Sequence, residues 1–373
     1  MPFPYTVPQD GYATERLPFH IQLGRGIGTK MNKTAFISGV TGQDGAYLAQ
    51  LLLEKGYVVH GGVRANAQDS LDRLSRLGIQ DRVKLHNFDL LDMNNVFRVL
   101  RDLRVDEFYN LAAQSFVGAS WDSAMNTLDI NAMGAARVLD TLRTTSPETR
   151  FYQASTSEMF GAVRAVPQSE LTPFNPRSPY AAGKAMAHYL TVNYRDSFGM
   201  HASCGILFNH ESPLRGLQFV TRKISSTLAR IARGSAEVCR LGNMDARRDW
   251  GYAPEYVEGM WRMLQQDRAD DYVLATGATT TVRDFVSCVA GALGMRLDWE
   301  GEGLTEVARN AATGQVVVCV DPAFFRPAEV DLLIGDPAKA KAALGWQATT
   351  DVTALATIMA RADYDSTANR LAA

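Results

Sequence analysis

The chain has 373 residues, 46% hydrophobic and 21% charged, with a formal net charge of −2. This is the balance of an ordinary globular protein, with no global basic field to attract nucleic acid or an anionic membrane. No apolar run is long enough to span a bilayer. The four cysteines (Cys204, Cys239, Cys288 and Cys319) form no CxxC or Cys/His cluster, so no metal site is expected and a reducing, cytoplasmic setting fits.

Residues 1–30 are irregular, with Pro2, Pro4 and Pro8 among scattered charges and no signal-peptide core. They read as an N-terminal extension with the character of a disordered segment; Met31 is an alternative start. Thr34–Gly39 reads as a buried strand, Ala46–Lys55 as a helix stopped by Gly56, and Val58–Val63 as a second strand. Further strands follow at Arg82–Asn87, Glu107–Ala112 and Arg150–Ala154, with helices at Val96–Leu103 and around Asp129–Thr144. This alternation predicts an α/β fold: a Rossmann-type, doubly wound parallel sheet. After about residue 205 the pattern blurs. Helices are expected at Phe219–Arg233 and Tyr256–Gln266, and a strand at Val316–Val320. Residues 31–205 are assigned mainly to a dinucleotide-binding domain. Residues 206–373 are assigned mainly to a smaller, discontinuous C-terminal substrate-binding lobe with segments returning to the first domain.

Between the first strand and first helix lies Gly39-Val40-Thr41-Gly42-Gln43-Asp44-Gly45. Such glycines permit a tight turn and let the backbone approach a pyrophosphate at a helix N-terminus. Plain turns also use glycine, but the strand-to-helix setting favours a dinucleotide. The second strand ends in Arg64, with no acid before Asp69. That points to NADP, with Arg64 on the 2′-phosphate; the competing assignment is a solvated surface arginine. Asp89 and Leu90 are placed for adenine. Leu111, Ala112, Ala113, Gln114 and Ser115 are placed for the nicotinamide half.

Tyr180 and Lys184 share one helix face, where the ammonium would lower the phenol's pKa and let it act as a general base. Ser178-Pro179 would start that helix. Thr156, after the fifth strand, can bond a substrate hydroxyl. Glu158 can remove a proton next to a carbonyl; the competing assignment is a helix-capping or surface acid.

GVTGQDGAYLA, NLAAQS, STSEMFG, SPYAAGK, ILFNHESPLRG, RRDWG and FFRPAEVD together resemble the GDP-mannose 4,6-dehydratase family, a branch of the extended short-chain dehydrogenases/reductases. The likeness covers roughly residues 33–360. It implies a hydro-lyase that takes GDP-mannose to GDP-4-dehydro-6-deoxy-D-mannose: oxidation at C4, proton removal at C5 with loss of the C6 hydroxyl as water, and hydride return to C6. Thr156, Glu158, Tyr180 and Lys184 match the family's catalytic positions, and His210 and Arg215 its cofactor contacts. Arg248 and Arg326 are candidates for the diphosphate, with Asn209, Lys223 and Glu329 as polar partners. A homodimer or homotetramer is implied. The family's VRRSS segment is here Arg64-Ala65-Asn66-Ala67, so the cross-subunit cofactor contact loses its second arginine and its serines. Competing readings are a GDP-sugar epimerase or 4-keto reductase, which does not need the Thr156/Glu158 pair, and a non-catalytic NADP-sensing scaffold, which would not keep all four groups.

Overall fold

The computed structural model describes residues 32–64, 71–324 and 332–371. In chain order the strands of the first half are β1 Thr34–Ser38, β2 Val58–Val63, β3 Lys84–Asn87, β4 Glu107–Asn110, β5 Arg150–Thr156, β6 Ala202–Leu207 and β7 Asn209–Glu211. They continue as β8 Cys239–Leu241, β9 Arg247–Arg248, β10 Trp250–Tyr252, β11 Asp271–Leu274, β12 Thr280–Thr281, β13 Leu297–Glu300, β14 Val307–Asn310, β15 Val316–Val320 and β16 Leu332–Leu333. The helices are α1 Gln43–Glu54, α2 Asp72–Arg76, α3 Met93–Leu103, α4 Ala119–Asp122, α5 Ala124–Leu128, α6 Gly134–Thr145 and α7 Pro179–Phe198. In the second half they are α8 Val220–Ala232, α9 Ala253–Leu264, α10 Val282–Ala292, α11 Ala338–Leu344 and α12 Val352–Leu371.

Seven strands form one parallel sheet in the order β11-β6-β5-β4-β1-β2-β3. This is the doubly wound Rossmann arrangement with a seventh strand at one edge. Alternation along each strand sends successive side chains to opposite faces. Phe36, Phe108 and Phe151 project to the face covered by α3, α6 and α7, where their rings stack at centroid separations of 5.3 and 5.9 Å. Ile37, Tyr109 and Tyr152 project to the other face, against α1 and α9. A parallel sheet covered on both faces has no polar side, which explains its nearly continuous apolar strands.

The second half builds its own core. Ile224 and Leu228 of α8, Phe285 and Val289 of α10 and Leu355 and Met359 of α12 pack with Val317 and Val318 of β15. Small sheets flank them, in the orders β13-β14-β15-β8, β12-β9-β16 and β10-β7. Lys33–Ala373 nevertheless cluster as one compact unit. Among the described residues no helix is long and apolar enough to cross a membrane.

Three expectations need correction. Helix α1 starts at Gln43, three residues before its first apolar position, because Gly42 is the N-cap and the first turn is polar. The segment expected as one helix from Asp129 opens with a π-helical stretch, Asp129–Met133, before α6. Strand β6 lies where the pattern blurs; all six of its residues are buried, but the first four, Ala202 to Gly205, are small and weakly apolar. The start of α7 follows expectation: Ser178 Oγ accepts from Ala181 N at 3.1 Å and Pro179 opens the helix.

Phe108 is fully buried between two aromatic neighbours. Phe108→Ala should cost about 3–5 kcal/mol of stability, seen as a lower urea midpoint at unchanged m-value. A loss under about 1 kcal/mol would contradict this placement of the core.

Candidate active site

The C-terminal ends of the parallel strands open onto a cavity of about 670 Å³. At the end of β1 the chain turns through Gly39, at φ +71°, a conformation that side chains rarely adopt. A Cβ on Gly39 would lie 2.9 Å from the backbone of Ala112, and one on Gly45 would lie 2.3 Å from the Gly39 carbonyl oxygen. Gly42 N donates to Gly39 O at 3.0 Å, closing the turn. As N-cap, Gly42 offers no side-chain acceptor to the first-turn N–H groups of α1. The loop is a backbone cradle at a helix N-terminus, which fits a dinucleotide pyrophosphate in space and in polarity.

The other residues expected at the cofactor sit around this cradle. Thr41 O accepts from Arg73 Nη1 at 3.1 Å. Arg64 follows β2 and is exposed; Asp89 and Leu90 follow β3, with Asp89 Oδ1 accepting from Leu91 N at 3.0 Å and Leu90 buried. Leu111 N and Ala112 N both donate to Ser38 Oγ at 3.1 Å, and Gln114 N donates to Asn131 Oδ1 at 2.9 Å. Asp44, Leu111, Ala113 and Ser115 line the cavity; the three glycines, Thr41, Gln43, Arg64, Asp89, Leu90, Ala112 and Gln114 do not.

Thr156, Glu158, Tyr180 and Lys184 all line the cavity. Thr156 ends β5 and its Oγ1 accepts from Glu158 N at 3.3 Å, capping the short turn Ser157–Met159. Tyr180 and Lys184 occupy the first turns of α7. Burial pushes the Tyr180 phenol up to about 12, partly offset by a Thr156 hydrogen bond and reinforced by the Glu158 charge, with Arg215 acting to lower it. The Lys184 ammonium lies 6.0 Å from the Tyr180 ring centroid and donates to Ala154 O at 2.8 Å. Burial brings Lys184 itself down to about 8, against the opposing charge of Asp44.

His210 is 8% exposed and both its ring nitrogens are engaged. Nδ1 lies 2.7 Å from Phe208 O and Nε2 lies 2.9 Å from Asp44 Oδ2. Two acceptors favour the doubly protonated ring. Burial opposes that charge, but Asp44 outweighs it, so the histidine titrates above its ordinary value. Burial would likewise raise Asp44, yet His210 and Gln43 bring it down to about 2. Gln43 reinforces the junction, donating to His210 O at 3.1 Å and accepting from Ser212 Oγ at 2.8 Å. Arg215 lies 3.1 Å from Glu211 Oε2 and 3.6 Å over the Phe219 ring.

Asn209 of β7, Lys223 of α8 and Arg248 of β9 also line the cavity. Lys223 Nζ lies 3.3 Å over the Phe324 ring, and Arg248 Nη1 donates to Arg247 O at 2.8 Å. A second recess of about 330 Å³ adjoins at Leu217, Lys223 and Phe324 and adds Arg230 and Arg240. Arg326 and Glu329 lie outside the described residues.

Two supporting residues escaped the sequence reading. Asp249 is fully buried and accepts from Thr276 N, Thr276 Oγ1 and Gly277 N at 2.9, 2.7 and 3.0 Å, fixing the break between Arg248 and Trp250. Its position inside RRDWG was the available signal. Asn131, in the π-helical stretch, exchanges two hydrogen bonds with the backbone of Gln114; nothing in a regular helical pattern marks it.

Fold and site together define a short-chain dehydrogenase/reductase-type nucleotide-sugar enzyme. The same fold recurs in RMD from Pseudomonas aeruginosa complexed with NADPH, with a TM-score of 0.69 at 20% identity, covering 90% of this chain and 100% of that one. It recurs in dTDP-glucose 4,6-dehydratase from Bacillus anthracis in complex with NAD, with a TM-score of 0.74 at 15% identity, covering 90% and 98%. Residues 36–359 match the family model of GDP-mannose 4,6 dehydratase. A GDP-mannose 4,6-dehydratase of Sinorhizobium fredii is 53% identical over 338 residues, covering 89% of this chain and 96% of that protein. The chain belongs to the GDP-mannose 4,6-dehydratase family.

The Asp44–His210 pair has a definite pH signature. The folded-state pKa of His210 is raised, so its contribution to stability is fully present below the ordinary histidine value and is lost as pH rises through the raised value. The stability difference between wild type and Asp44→Asn should be larger at about pH 6 than at about pH 9, and NMR titration should show the His210 pKa falling in the variant. An unchanged His210 titration would contradict the pairing.

Proposed function

We propose that the chain is a hydro-lyase that converts GDP-D-mannose to GDP-4-dehydro-6-deoxy-D-mannose and water. The observation that carries this reading is the meeting of Thr156 and Glu158 with Tyr180 and Lys184 in one cavity, in a member of this family. Alcohol oxidation alone needs only the tyrosine, the lysine and a hydroxyl to orient the substrate. Glu158 adds the acid–base group that elimination requires.

The Gly39–Gly45 cradle, Leu111–Ser115, His210 and Arg215 would hold a nicotinamide dinucleotide, which would supply the hydride acceptor for C4 and the hydride donor for C6. The remaining steps belong to the chain's own side chains. Thr156 orients the O4 hydroxyl and Tyr180 takes its proton. The C4 ketone acidifies the C5 proton, which Glu158 removes. The same proton leaves on the C6 oxygen as water. The proton that Tyr180 took from O4 goes to C5 and completes the product, in which C4 remains a ketone and C6 has been reduced. Tyr180 holds its proton at neutral pH in the ligand-free protein, and the Thr156 hydrogen bond already acts to stabilise the phenolate.

Arg248, with Arg326, would clamp the diphosphate of GDP, and Asn209, Lys223 and Glu329 would meet the nucleoside. The adjoining recess gives an extended ligand room beside Lys223 and Phe324. On this reading residues 206–373 serve mainly as the nucleotide-sugar lobe. Arg64, exposed at the end of β2, selects NADP. A homo-oligomer accords with exposed apolar side chains at helical spacing on α7, Met186 and Tyr189, 43% and 54% exposed, and with Met125 on α5, which packs beside α7. The cysteines are all free, which accords with a cytoplasmic setting.

Purified protein incubated with GDP-mannose should release product lighter by one water. Glu158→Gln should lower turnover by about 10²–10⁴-fold while still oxidising C4; normal product formation by this variant would remove Glu158 from the chemistry. Arg64→Ala should weaken NADP binding about ten-fold and leave NAD binding unchanged, and an equal loss for both cofactors would contradict the 2′-phosphate contact.

A further inference from the structure

Thr156 and Glu158 belong to the end of β5, whereas Tyr180 and Lys184 belong to the first turns of α7. The proposed chemistry therefore depends on how these two elements are held against each other. Two side chains of α7 reach across to β5. Lys184 Nζ donates to Ala154 O at 2.8 Å, and one turn further on His188 Nδ1 lies 3.1 Å from Ser155 Oγ. Tyr180, Lys184 and His188 are four residues apart and share one helix face. Ser155 lines the cavity; His188 stands behind it, 5% exposed.

His188 is itself held from the other side. Its Nε2 lies 3.9 Å from Asp271 Oδ2 on β11, and Phe174 meets the ring edge-on at 5.0 Å. Arg195, further along α7, takes both Asp271 oxygens at 2.9 and 3.0 Å. The Asp271 carboxylate faces Nε2 beyond hydrogen-bond distance, and Nδ1 shares a hydrogen bond with the Ser155 hydroxyl. His188, Cys204 and Asp271 bring metal-ligating atoms within 4.8 Å of one another. With Arg195 already neutralising Asp271, the cluster is a hydrogen-bonded strut rather than a cation cage.

We propose that His188 is a positioning residue for the dehydration, setting the Thr156/Glu158 turn against the Tyr180/Lys184 helix face through Ser155. The proposal rests on the assignment of those four groups to the chemistry. A strut behind the cavity acts on the alignment of reacting groups more than on ligand binding. Misplacement by about 1 Å costs on the order of 10²-fold in rate.

The test compares His188→Leu, His188→Asn, Ser155→Ala and the His188→Leu/Ser155→Ala double variant, each with its melting temperature. His188→Leu should lower kcat about ten-fold or more, with KM for GDP-mannose and the affinity for NADP, measured by calorimetry, within about two-fold of wild type. His188→Asn, whose amide can occupy the place of Nδ1, should recover most of kcat. The double variant should be no slower than the slower single one, because both break the same link. If His188→Leu does not fold, the Asn and Ser155→Ala variants decide the matter: near-wild-type kcat in Ser155→Ala would overturn the proposal. So would wild-type kcat in a folded His188→Leu, an Asn variant no faster than Leu, or additive losses. Tyr180→Phe and Glu158→Gln are assayed alongside. If they turn over normally, the assignment of the four groups has failed; if they are inactive while His188→Leu is fully active, only the strut has failed.

Discussion

The packing of α7 across the end of β5 is the constraint on which the rest of the site depends. A parallel sheet delivers the ends of its strands to one edge, which is where Thr156 and Glu158 emerge. A helix on the sheet's face must start at that edge to present its first turns there, and Ser178-Pro179 starts α7 at that point. Once helix and strand are in register, a tyrosine, a lysine, a threonine and a glutamate from two stretches of chain share one cavity. Polar links tie the two elements together, with Lys184 on Ala154 O and His188 on Ser155. Buried polar groups are costly unless paired, and here the pairing is what aligns the two elements.

The second organising contact joins the halves of the chain. Asp44 and Gln43 lie in the first turn of α1, immediately after the glycine loop. They meet His210 and Ser212, on and after β7, which pairs with β10 directly beyond Arg248. The proposed cofactor loop and the proposed diphosphate arginine are thus ends of one connected structure. His210 is buried and Asp44 half-buried, and their two charges are mutually compensated, as a charge withdrawn from water requires. Both ring nitrogens of His210 are occupied by protein atoms, so any cofactor contact by this residue is made through its backbone or through Asp44.

Much of the fold was legible because a doubly wound sheet writes itself plainly: apolar strands, intervening helices, and a glycine turn after the first strand. The central strands matched expectation to within a residue or two. β6 was not legible because its first four residues, Ala202 to Gly205, are small and weakly apolar, and the π-helical turn at Asp129–Met133 was not because it keeps a helical pattern. In the site, Tyr180, Lys184, Thr156 and Glu158 were readable as residue types at spacings tied to a strand end and a helix start. Their electrostatics were not. Burial dominates the Tyr180 phenol, and the Lys184 ammonium donates to the Ala154 carbonyl. His188, Ser155 and Asp249 were invisible as functional candidates because their partners are distant in sequence. Arg326 and Glu329 were named from a motif and lie outside the described residues.

What distinguishes this site from a simple alcohol dehydrogenase is that the hydride taken from C4 is returned to C6 of the same sugar, so C4 stays a ketone in the product and no oxidant is consumed. GDP-mannose labelled with deuterium at C4 tests this most directly. The account predicts that the purified protein, without added cofactor, gives product carrying the deuterium at C6 of the same molecule. Product with no label at C6, or a C4 oxidation that stops at stoichiometric reduced cofactor without loss of water, would contradict it.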